Sequence, residues 1–353
     1  MKFLVLSHTH SLLPFAYRLQ LSGAEVQPVV TVQAFEAAWR GKMEPSPRDP
    51  KGRLETEWLT ALASASANSD TIILTDDWKL QEKFKEAGAT KIFGVSQQHH
   101  TTADGLVHPL RFGGWFHPDY GLWAPHALIV DRGAWPGGMG PVIDGALTMV
   151  RIDRPDTVEM LEQLAKEKLD ELKEVGFQGL VQFGLNFQTQ SGEPEVDGMV
   201  AGWPFLQTHA FLSELEDFSG LLEATTGSAK APPPLLPRKF VTVLPLSRPP
   251  WPTRKARFRF DLAPIEGLTS QQLARVFWHD VQLDPEAARL TTAGLDGLIG
   301  VIRGAADTSE LALARALEVA LRVRLPEKQF RSDSGRLVQP TLSELEGRFE
   351  VLL

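Results

Sequence analysis

The N-terminal part of the chain alternates apolar runs with amphipathic stretches. Lys2 to Leu6 and Thr71 to Leu74 are short apolar runs, typical of buried parallel strands. A helical pattern runs from Leu12 to Leu21, and a further strand is expected near Val26 to Val30. The order strand, turn, helix, strand predicts a parallel α/β domain over residues 1–96.

In the middle of the chain, the sequence predicts an amphipathic helix followed by a strand with alternating apolar residues. Pro155 is suited to the first position of a long amphipathic helix, which ends at Gly176. Leu180 to Phe187 then alternates as a half-buried strand does. The residues predicted to share its apolar face are Val181, Phe183, Leu185 and Phe187. We assign residues 97–224 to a core domain.

A proline-rich segment separates this core from the end of the chain. Residues 225–238 contain three consecutive prolines and are predicted to be a linker. Residues 239–353 are predicted to form a small C-terminal α/β domain with a helix from Ser309 to Val323. Its strands are expected near Val241, Phe258 and Ile299.

Composition excludes several kinds of chemistry. The 353 residues are 43% hydrophobic and 23% charged, which is ordinary for a globular protein, and none is cysteine. Disulfides, thiolate metal sites and a cysteine nucleophile are therefore excluded. The apolar run at the N-terminus is too short for a signal peptide or a membrane span. We expect a cytoplasmic enzyme with no membrane partner.

The net charge of −8 argues against a protein that coats nucleic acid. One local stretch is nevertheless basic and contains a tryptophan. It consists of Arg238, Lys239, Arg248, Trp251, Arg254, Lys255, Arg257 and Arg259. This stretch is either a solvated strand pair beside the linker or a surface that follows a nucleic-acid backbone and stacks a base.

The first turn of the chain is a candidate phosphate site. Ser7, Thr9 and Ser11 alternate with two histidines just before the first predicted helix. A turn at a helix start offers free backbone N–H groups and a positive dipole end, which suit a phosphate. His8 or His10 would supply a proton or a hydrogen bond. The alternative is that both are exposed turn histidines.

Four stretches together resemble phosphoribosylamine–glycine ligase, in that family's order. The loop Gly137, Gly138, Met139, Gly140 followed by proline matches the family's Gly-Gly-Met-Gly loop. Ile92 to Gly94 is similar to a strand of its N-terminal domain, and the first turn keeps one histidine in place of a Gly-rich loop. The C-terminal matches are Val276-Phe277, Thr292-Ala293-Gly294, Gly300-Val301, Ala314, Leu317, Val323, Arg331, Asp333 and Gly335.

The resemblance implies an ATP-grasp-like protein with a Rossmann-like (pre-ATP-grasp) N-terminal domain and a lid-like C-terminal domain. This chain departs from the family's pattern in two respects. The stretch from Gly94 to Gly137 is too short for the family's ATP lid subdomain, so a reduced core is implied. The family's magnesium ligands and the charged residues around its reacting phosphate are also replaced. The replacing residues are Gly198, Val200, Gly202, Phe205 and Gln207, and Asp197 lies one position off. We expect no metal and no cofactor.

Other polar groups fall near the family's reaction centre. Gln182, Asn186, Gln207 and Thr208 are candidate substrate-binding residues, and His209 is a candidate catalytic residue. The alternative is that they fill the core or the surface. The Gly137–Gly140 loop would let the backbone approach a ligand closely, or is only a tight turn.

Three functional hypotheses remain open. The first is ATP-independent transfer of an amino acid, with glycine expected, through its amine onto a phosphate-activated acceptor. The expected acceptor is a phosphorylated nucleotide, most simply phosphorylated hydroxymethyluracil in phage DNA, which would place the enzyme in the host cytoplasm. The second is a reduced phosphoribosylamine–glycine ligase. The third is a non-catalytic binding relative in which Trp115, Trp123 and Trp135 form an interaction patch or, alternatively, cap a small core.

Overall fold

The computed structural model describes residues 2–43, 46–48, 53–67, 69–95, 106, 109–187, 194–227, 232–252, 262–284, 286 and 289–349. They form a four-stranded parallel sheet, an eight-stranded sheet and a two-stranded ribbon, with helices packed around them. The predicted strand near Phe258 lies outside these residues.

The N-terminal domain is a small parallel sheet flanked by helices. Its strands are β1 Lys2–Ser7, β2 Glu25–Val30, β3 Thr71–Thr75 and β4 Ile92–Phe93. Its helices are α1 Leu13–Leu21, α2 Thr56–Ala67 and α3 Trp78–Glu86, with a 3-10 helix over Gln33–Trp39. The strand order is β2-β1-β3-β4, and all neighbours are parallel. The predicted Rossmann-like arrangement is confirmed, because apolar strands of this kind are buried on both faces.

The rest of the chain is built on the larger sheet. Its strands are β5 Leu110–His117, β6 Gly121–Arg132, β7 Asp144–Arg151, β8 Gly179–Phe187, β9 Pro194–Gly202, β10 Phe240–Ser247, β11 Val276–Trp278 and β14 Leu298–Ala306. The ribbon is β12 Val281–Asp284 with β13 Arg289–Thr292. The helices are α4 Pro155–Leu164, α5 Lys166–Glu174, α6 Phe205–Leu212, α7 Phe218–Thr225, α8 Ser270–Leu273, α9 Ser309–Arg322 and α10 Val338–Phe349.

This sheet is antiparallel and runs across the predicted linker. Its order is β11-β14-β10-β7-β6-β5-β8-β9. Strand β10 pairs with β7 from Phe240 opposite Val150 to Val243 opposite Leu147. The division into residues 97–224, 225–238 and 239–353 stays a prediction about the sequence, but strands on both sides of the linker share one sheet.

The two faces of the large sheet are covered differently. Helix α9 lies so close to β14 that a Cβ atom at Gly304 would be 2.0 Å from the carbonyl oxygen of Ala312. On the other face, Phe211 of α6 stacks on Trp115 with ring centroids 6.0 Å apart. Trp115 is fully buried and donates a 3.1 Å hydrogen bond to Thr225. It is therefore a core residue, which corrects the hypothesis of an exposed patch containing it.

One further expectation is modified, and another agrees with the described residues. The single helix predicted from Pro155 is two helices, α4 and α5, that meet at the buried Ala165. Between Gly94 and Gly137, the described residues form β5, β6 and a turn instead of a separate lid subdomain. Among the described helices, none has the length and apolar content needed to cross a bilayer.

The carboxyl group of Glu214, just after α6, makes stability depend on pH. Both its oxygens are buried and lack a hydrogen-bond partner in the described part of the chain. Burial raises its pKa to about 8, despite the opposing charge of Arg151. The folded protein thus keeps a proton that the unfolded chain loses above its ordinary pKa of 4.5, so stability falls between these two pH values.

Near pH 4.5, we expect Glu214→Gln to have the same free energy of unfolding as the wild type. Near pH 8, its free energy of unfolding should be higher than that of the wild type, by on the order of 3 kcal/mol. Urea unfolding at both pH values measures this difference. Glu216→Gln, at an exposed position two residues away, is the matched control and should change little at either pH. A wild type that gains stability over Glu214→Gln as the pH rises would contradict the assignment.

Candidate functional site

The candidate site lies at the carboxyl edge of the N-terminal sheet, between β1 and β3. These neighbouring strands carry the turns that follow Ser7 and Thr75. In the order β2-β1-β3-β4 this is where the chain switches direction across the sheet, and ligands of such sheets bind at that crevice.

The turn from Ser7 to Ser11 is held by the carboxylate of Asp76. The hydroxyl of Ser7 donates to it at 2.8 Å, and the backbone N–H of His8 donates at 2.7 Å. The hydroxyl of Ser11 donates to the same carboxylate, and its backbone N–H donates to Thr9 at 3.2 Å. These contacts explain the shape of the turn.

This arrangement changes the expected preference of the turn. Two of the three hydroxyls predicted to contact a phosphate, those of Ser7 and Ser11, already donate to Asp76, and Asp77 follows it directly. Burial raises the pKa of Asp76, and hydrogen bonds from Ser11, His8 and Ser7 oppose that effect. Phosphate binding at this turn stays a prediction, but two adjacent carboxyl groups favour a cation or a hydrogen-bond donor.

The two turn histidines have different surroundings. The side chain of His8 is 59% exposed; its Nδ1 lies 2.9 Å from the Thr31 hydroxyl and 3.7 Å from Asp77. His10 is buried, and its Nε2 lies 3.3 Å from the carboxylate of Asp296. His10 Nδ1 is buried without a hydrogen-bond partner among the described residues. An unpaired buried nitrogen is costly, so it marks a position of interest.

A loop from the C-terminal part brings Asp296 to His10. The buried carboxylate of Asp280 accepts from the backbone N–H of Leu295 and Gly297 at 2.9 Å and of Asp296 at 3.1 Å. Burial raises the pKa of Asp280, and these hydrogen bonds oppose the rise. The loop is therefore fixed by one carboxylate, and Asp296 is presented to His10.

Three buried histidines meet behind the turn. His279, next to Asp280 in sequence, lies 5.6 Å from His10 between ring centroids, and its Nε2 is 2.9 Å from Nε2 of His209. Nδ1 of His209 lies 2.6 Å from the carbonyl oxygen of Phe205. We call His10, His209 and His279 the histidine cluster.

The protons of the histidine cluster follow from its partners. A carbonyl only accepts, so Nδ1 of His209 carries the proton and its Nε2 accepts from Nε2 of His279. Nδ1 of His279 is then the lone-pair nitrogen, and no described residue hydrogen-bonds to it. Burial lowers the pKa of His209 to about 4 and holds the pKa of His279 well below its ordinary value. Both rings are neutral at pH 7.

A buried lysine lies beside this cluster. Nζ of Lys42 donates to the carbonyl oxygens of Ala38 at 3.2 Å and Val281 at 2.5 Å. Burial lowers the pKa of Lys42 to about 7, while the charge of Asp280 opposes the shift. Lys42 therefore links the N-terminal domain to the ribbon and titrates near neutrality.

The Gly-Gly-Met-Gly loop is exposed and is attached to the end of the chain. Gly137, Gly138, Met139 and Gly140 are all exposed, and the first, second and fourth have positive φ. The N–H of Gly137 donates to Asp333 at 2.7 Å. Arg331 in turn donates to the carbonyl oxygens of Arg132 and Gly133 at 3.0 and 2.9 Å. The two best-matching motifs of the resemblance thus contact each other.

This loop follows β6 and precedes β7, at the end of the large sheet where β10 finishes and pairs with Leu298. The Asp296 loop therefore lies at the same end of the sheet as the Gly-rich loop. Among the described residues, no hydrogen bond joins the Gly-rich loop to the Ser7–Ser11 turn.

The neutral polar candidates are mostly structural. The buried Gln207 donates to the carbonyl oxygen of Val181 and contacts His126, both at 2.8 Å. Thr208 bonds within α6 to Pro204, and Gln182 accepts from the buried Arg111 at 3.3 Å. Asn186 is half-buried near the end of β8. Of this group, only His209 joins the site.

The predicted basic track is divided. Arg238 and Lys239 precede β10, whereas Arg248 and Trp251 follow it, so the strand's eight residues separate them by about 26 Å. Arg248 is nearly buried and pairs with Glu327 at 3.3 Å. The positions outside the described residues are Arg254, Lys255, Arg257 and Arg259. The described members therefore do not form one continuous surface.

No group of three or more His, Asp or Glu side chains in the described ranges is placed to hold a metal ion. Gly198 and Val200, at the positions where the resemblance expects magnesium ligands, lie in β9, as does Gly202, where it expects an arginine near the reacting phosphate. Phe205 packs its ring on His209 and His279 at 5.0 and 5.6 Å. These groups offer no oxygen donor for a hard cation.

Sequence reasoning missed four members of this site: Asp76, His279, Asp280 and Asp296. One signal was available for Asp76, because it comes just after the predicted strand from Thr71 to Leu74. His279, Asp280 and Asp296 follow strands that the sequence analysis did not predict. Chemistry-bearing side chains at strand ends gather at one edge of a sheet.

Comparison with solved structures gives the fold a name. Phosphoribosylamine–glycine ligase from Thermotoga maritima superposes with a TM-score of 0.58 at 13% identity, over 94% of this chain and 100% of that chain. Pyruvate carboxylase from Rhizobium etli gives 0.58 at 12% identity, over 99% of this chain and 38% of that chain. L-amino acid ligase from Bacillus licheniformis gives 0.50 at 12% identity, over 92% and 98%. The chain has an ATP-grasp-like fold.

In sequence, no protein-family model matches this chain and no curated protein matches it. The ATP-grasp-like fold agrees with the expected fold class, and identities this low establish the fold alone. The site's chemistry therefore has to be argued from its own residues.

Asp280 gives a direct test of how the site is assembled. In Asp280→Asn an amide N–H replaces one acceptor oxygen and faces backbone donors, so we expect a loss of about 2–3 kcal/mol in unfolding free energy at pH 7. Chemical denaturation measures the loss, and Asp307→Asn, at an exposed position, is the control. Equal stability of Asp280→Asn and wild type would show that the carboxylate does not hold the loop.

Proposed function

We propose that this protein joins the amine of an amino acid, with glycine expected, to a phosphate-activated acceptor without using ATP. The expected acceptor is phosphorylated hydroxymethyluracil in DNA. The observation that carries the proposal is the Asp296–His10 pair beside the acidic turn of Asp76 and Asp77. Two similar solved structures are named as ligases of glycine and of L-amino acids, which supports chemistry at an amine.

The acidic turn suits the ammonium group of an amino acid better than it suits a phosphate. Carboxylates pair with an ammonium and repel a phosphate at the same distance. His8 is exposed at this turn, and Asp77 and Thr31 hold its ring. We therefore assign amino-acid binding to the turn and acceptor binding to the exposed Gly137–Gly140 loop at the end of the large sheet.

An amine must lose a proton before it can attack. His10 is oriented by Asp296 as a general base is oriented by a carboxylate, and its position at the turn suits this role. In the proposed reaction the amine nitrogen bonds to the acceptor carbon, and the bond from that carbon to the phosphate oxygen breaks. Inorganic phosphate leaves, and the amine proton passes to His10. His279 and His209 are neutral and position His10 from behind.

The donor set supports independence from ATP. Where the resemblance expects oxygen ligands, this chain has glycine, valine and a phenylalanine packed on the histidine cluster. Magnesium requires hard oxygen ligands, so a nucleoside triphosphate has little to hold its cation here. If the acceptor already carries a phosphate as leaving group, no nucleoside triphosphate is needed to activate it.

An ATP-dependent ligase is the second candidate, since the similar solved structures named above are ligases and carboxylases. Both candidates are separated by incubating the protein with phosphomethyluracil DNA and labelled glycine, with and without magnesium-ATP. Label on DNA and release of phosphate without ATP are expected. Transfer that requires ATP would favour the ligase, and no transfer with any amino acid under either condition would end the proposal.

Substitution of the base gives a sharper test. We expect His10→Gln to lower the rate of transfer by about 10²–10⁴-fold while DNA binding is unchanged. Asp296→Asn should lower the rate less and shift its pH dependence, because it acts through His10. His117→Gln is the control, because His117 is the last residue of β5, outside the candidate site, and stacks on Tyr120. A fully active His10→Gln protein would exclude His10 as the base.

A further inference from the structure

Four arginines gather beside α1 and the edge of the large sheet. We call Arg18, Arg238, Arg275 and Arg303 the arginine cluster. Burial, together with the charges of the other three, lowers the pKa of Arg303 to about 10. The backbone N–H of Arg303 donates to the carbonyl oxygen of Arg275 at 2.8 Å, which fixes two of the four side by side.

The cluster is poor in balancing carboxylates. Arg275 pairs with Glu318 at 3.6 Å, but Glu318 is shared with Arg322 at 3.5 Å. In the described part of the chain, the other three members have no salt-bridge partner. Glu214 follows Ser213 directly, yet its pKa of about 8 leaves it uncharged at pH 7. Repulsion between these guanidinium groups is therefore largely uncompensated.

Helix capping accounts for only part of the arrangement. Arg18 and Arg303 each donate one hydrogen bond to a carbonyl oxygen at the end of α6, of Leu212 at 2.9 Å and of Ser213 at 3.4 Å. Arg238 donates to the carbonyl oxygen of Ala305 at 3.2 Å. A guanidinium carries five N–H donors, so most remain for a ligand. One arginine would suffice to cap this helix.

We infer that the arginine cluster binds phosphate groups of a nucleic-acid strand. Guanidinium groups match phosphate oxygens in pairs, and several of them in one place follow a chain of phosphates better than a single anion. The basic side chains predicted for this role along β10 are divided, and Arg238 is the described member that joins the cluster. The other members of the cluster, Arg18, Arg275 and Arg303, come from other segments of the chain. They take the role that the remaining predicted basic side chains do not fill.

The location connects the cluster to the candidate site. Arg18 lies on α1, the helix that follows the turn carrying His10, and Arg275 directly precedes β11, which ends beside His279. The inference rests on the proposed function only for the presence of a nucleic-acid acceptor.

The test measures binding of a labelled single-stranded oligonucleotide by fluorescence anisotropy, at several salt concentrations between about 50 and 200 mM. We expect Arg18→Gln/Arg303→Gln to bind about 10–100-fold more weakly, with the slope of log affinity against log salt reduced by about one to two. Because Arg303 is half-buried, Arg238→Glu at an exposed position is a second variant, expected to weaken binding with an unchanged melting temperature.

Arg289→Gln is the control, since it removes an exposed arginine that pairs with Asp284 on the ribbon. Competition with inorganic phosphate, a mononucleotide and polyglutamate distinguishes the sources of negative charge. Preference for the oligonucleotide supports the inference. Unchanged binding in both cluster variants, or equal competition by polyglutamate, would overturn it. Oligonucleotide binding by the wild type without any amino-acid transfer would count against the proposed function alone. Amino-acid transfer to a mononucleotide by a wild type that does not bind the oligonucleotide would count against the cluster alone.

Discussion

The carboxylate of Asp280 is the constraint on which the site depends. Three backbone N–H groups converge on it, and the loop they belong to carries Asp296 to His10. A buried carboxylate without such donors would be expelled or protonated, so the loop and the charge stabilise each other. Because His279 directly precedes Asp280, the same short segment positions both the histidine cluster and the loop that carries Asp296.

The site is therefore formed by contacts that are distant in sequence. His10 comes from the turn after β1, His209 from α6 and His279 from the end of β11. Each is buried, and each has at least one nitrogen set by a neighbour in the group or by a carbonyl. Such polar groups in a core have to be satisfied together, because each unpaired nitrogen costs free energy. Nδ1 of His10 and Nδ1 of His279 have no partner among the described residues, and a substrate contact at these positions would be stabilising.

The sequence predicts the fold where apolar patterns are continuous. β1, β3 and α1 lie within a residue of their expected bounds, because buried parallel strands and continuous helical stretches have clear patterns. β5 is harder to predict, because Gly113 and Gly114 interrupt it. A Cβ at Gly113 would be 2.1 Å from the carbonyl oxygen of Val181, so close packing requires the glycine that obscures the strand.

The site was predictable in part. His10 stands out in the turn after a predicted strand, and His209 through the family resemblance, but their common partner His279 is fixed only by how the sheets pack. The role of Ser7 and Ser11 depends on Asp76, which β3 brings next to them. Local patterns report which residues are polar, and only the tertiary arrangement reports which polar groups are already paired.

The sheet that crosses the linker limits how this molecule can open. Pairing of β10 with β7 ties the C-terminal strands to the core, so a swinging motion of residues 239–353 would break a ladder of backbone hydrogen bonds. The parallel N-terminal sheet shares no strand with it and is joined by side-chain contacts such as Lys42 to Val281. Any opening between the N-terminal sheet and the large sheet would therefore have to occur at the contacts between them, and not within either ladder of strands.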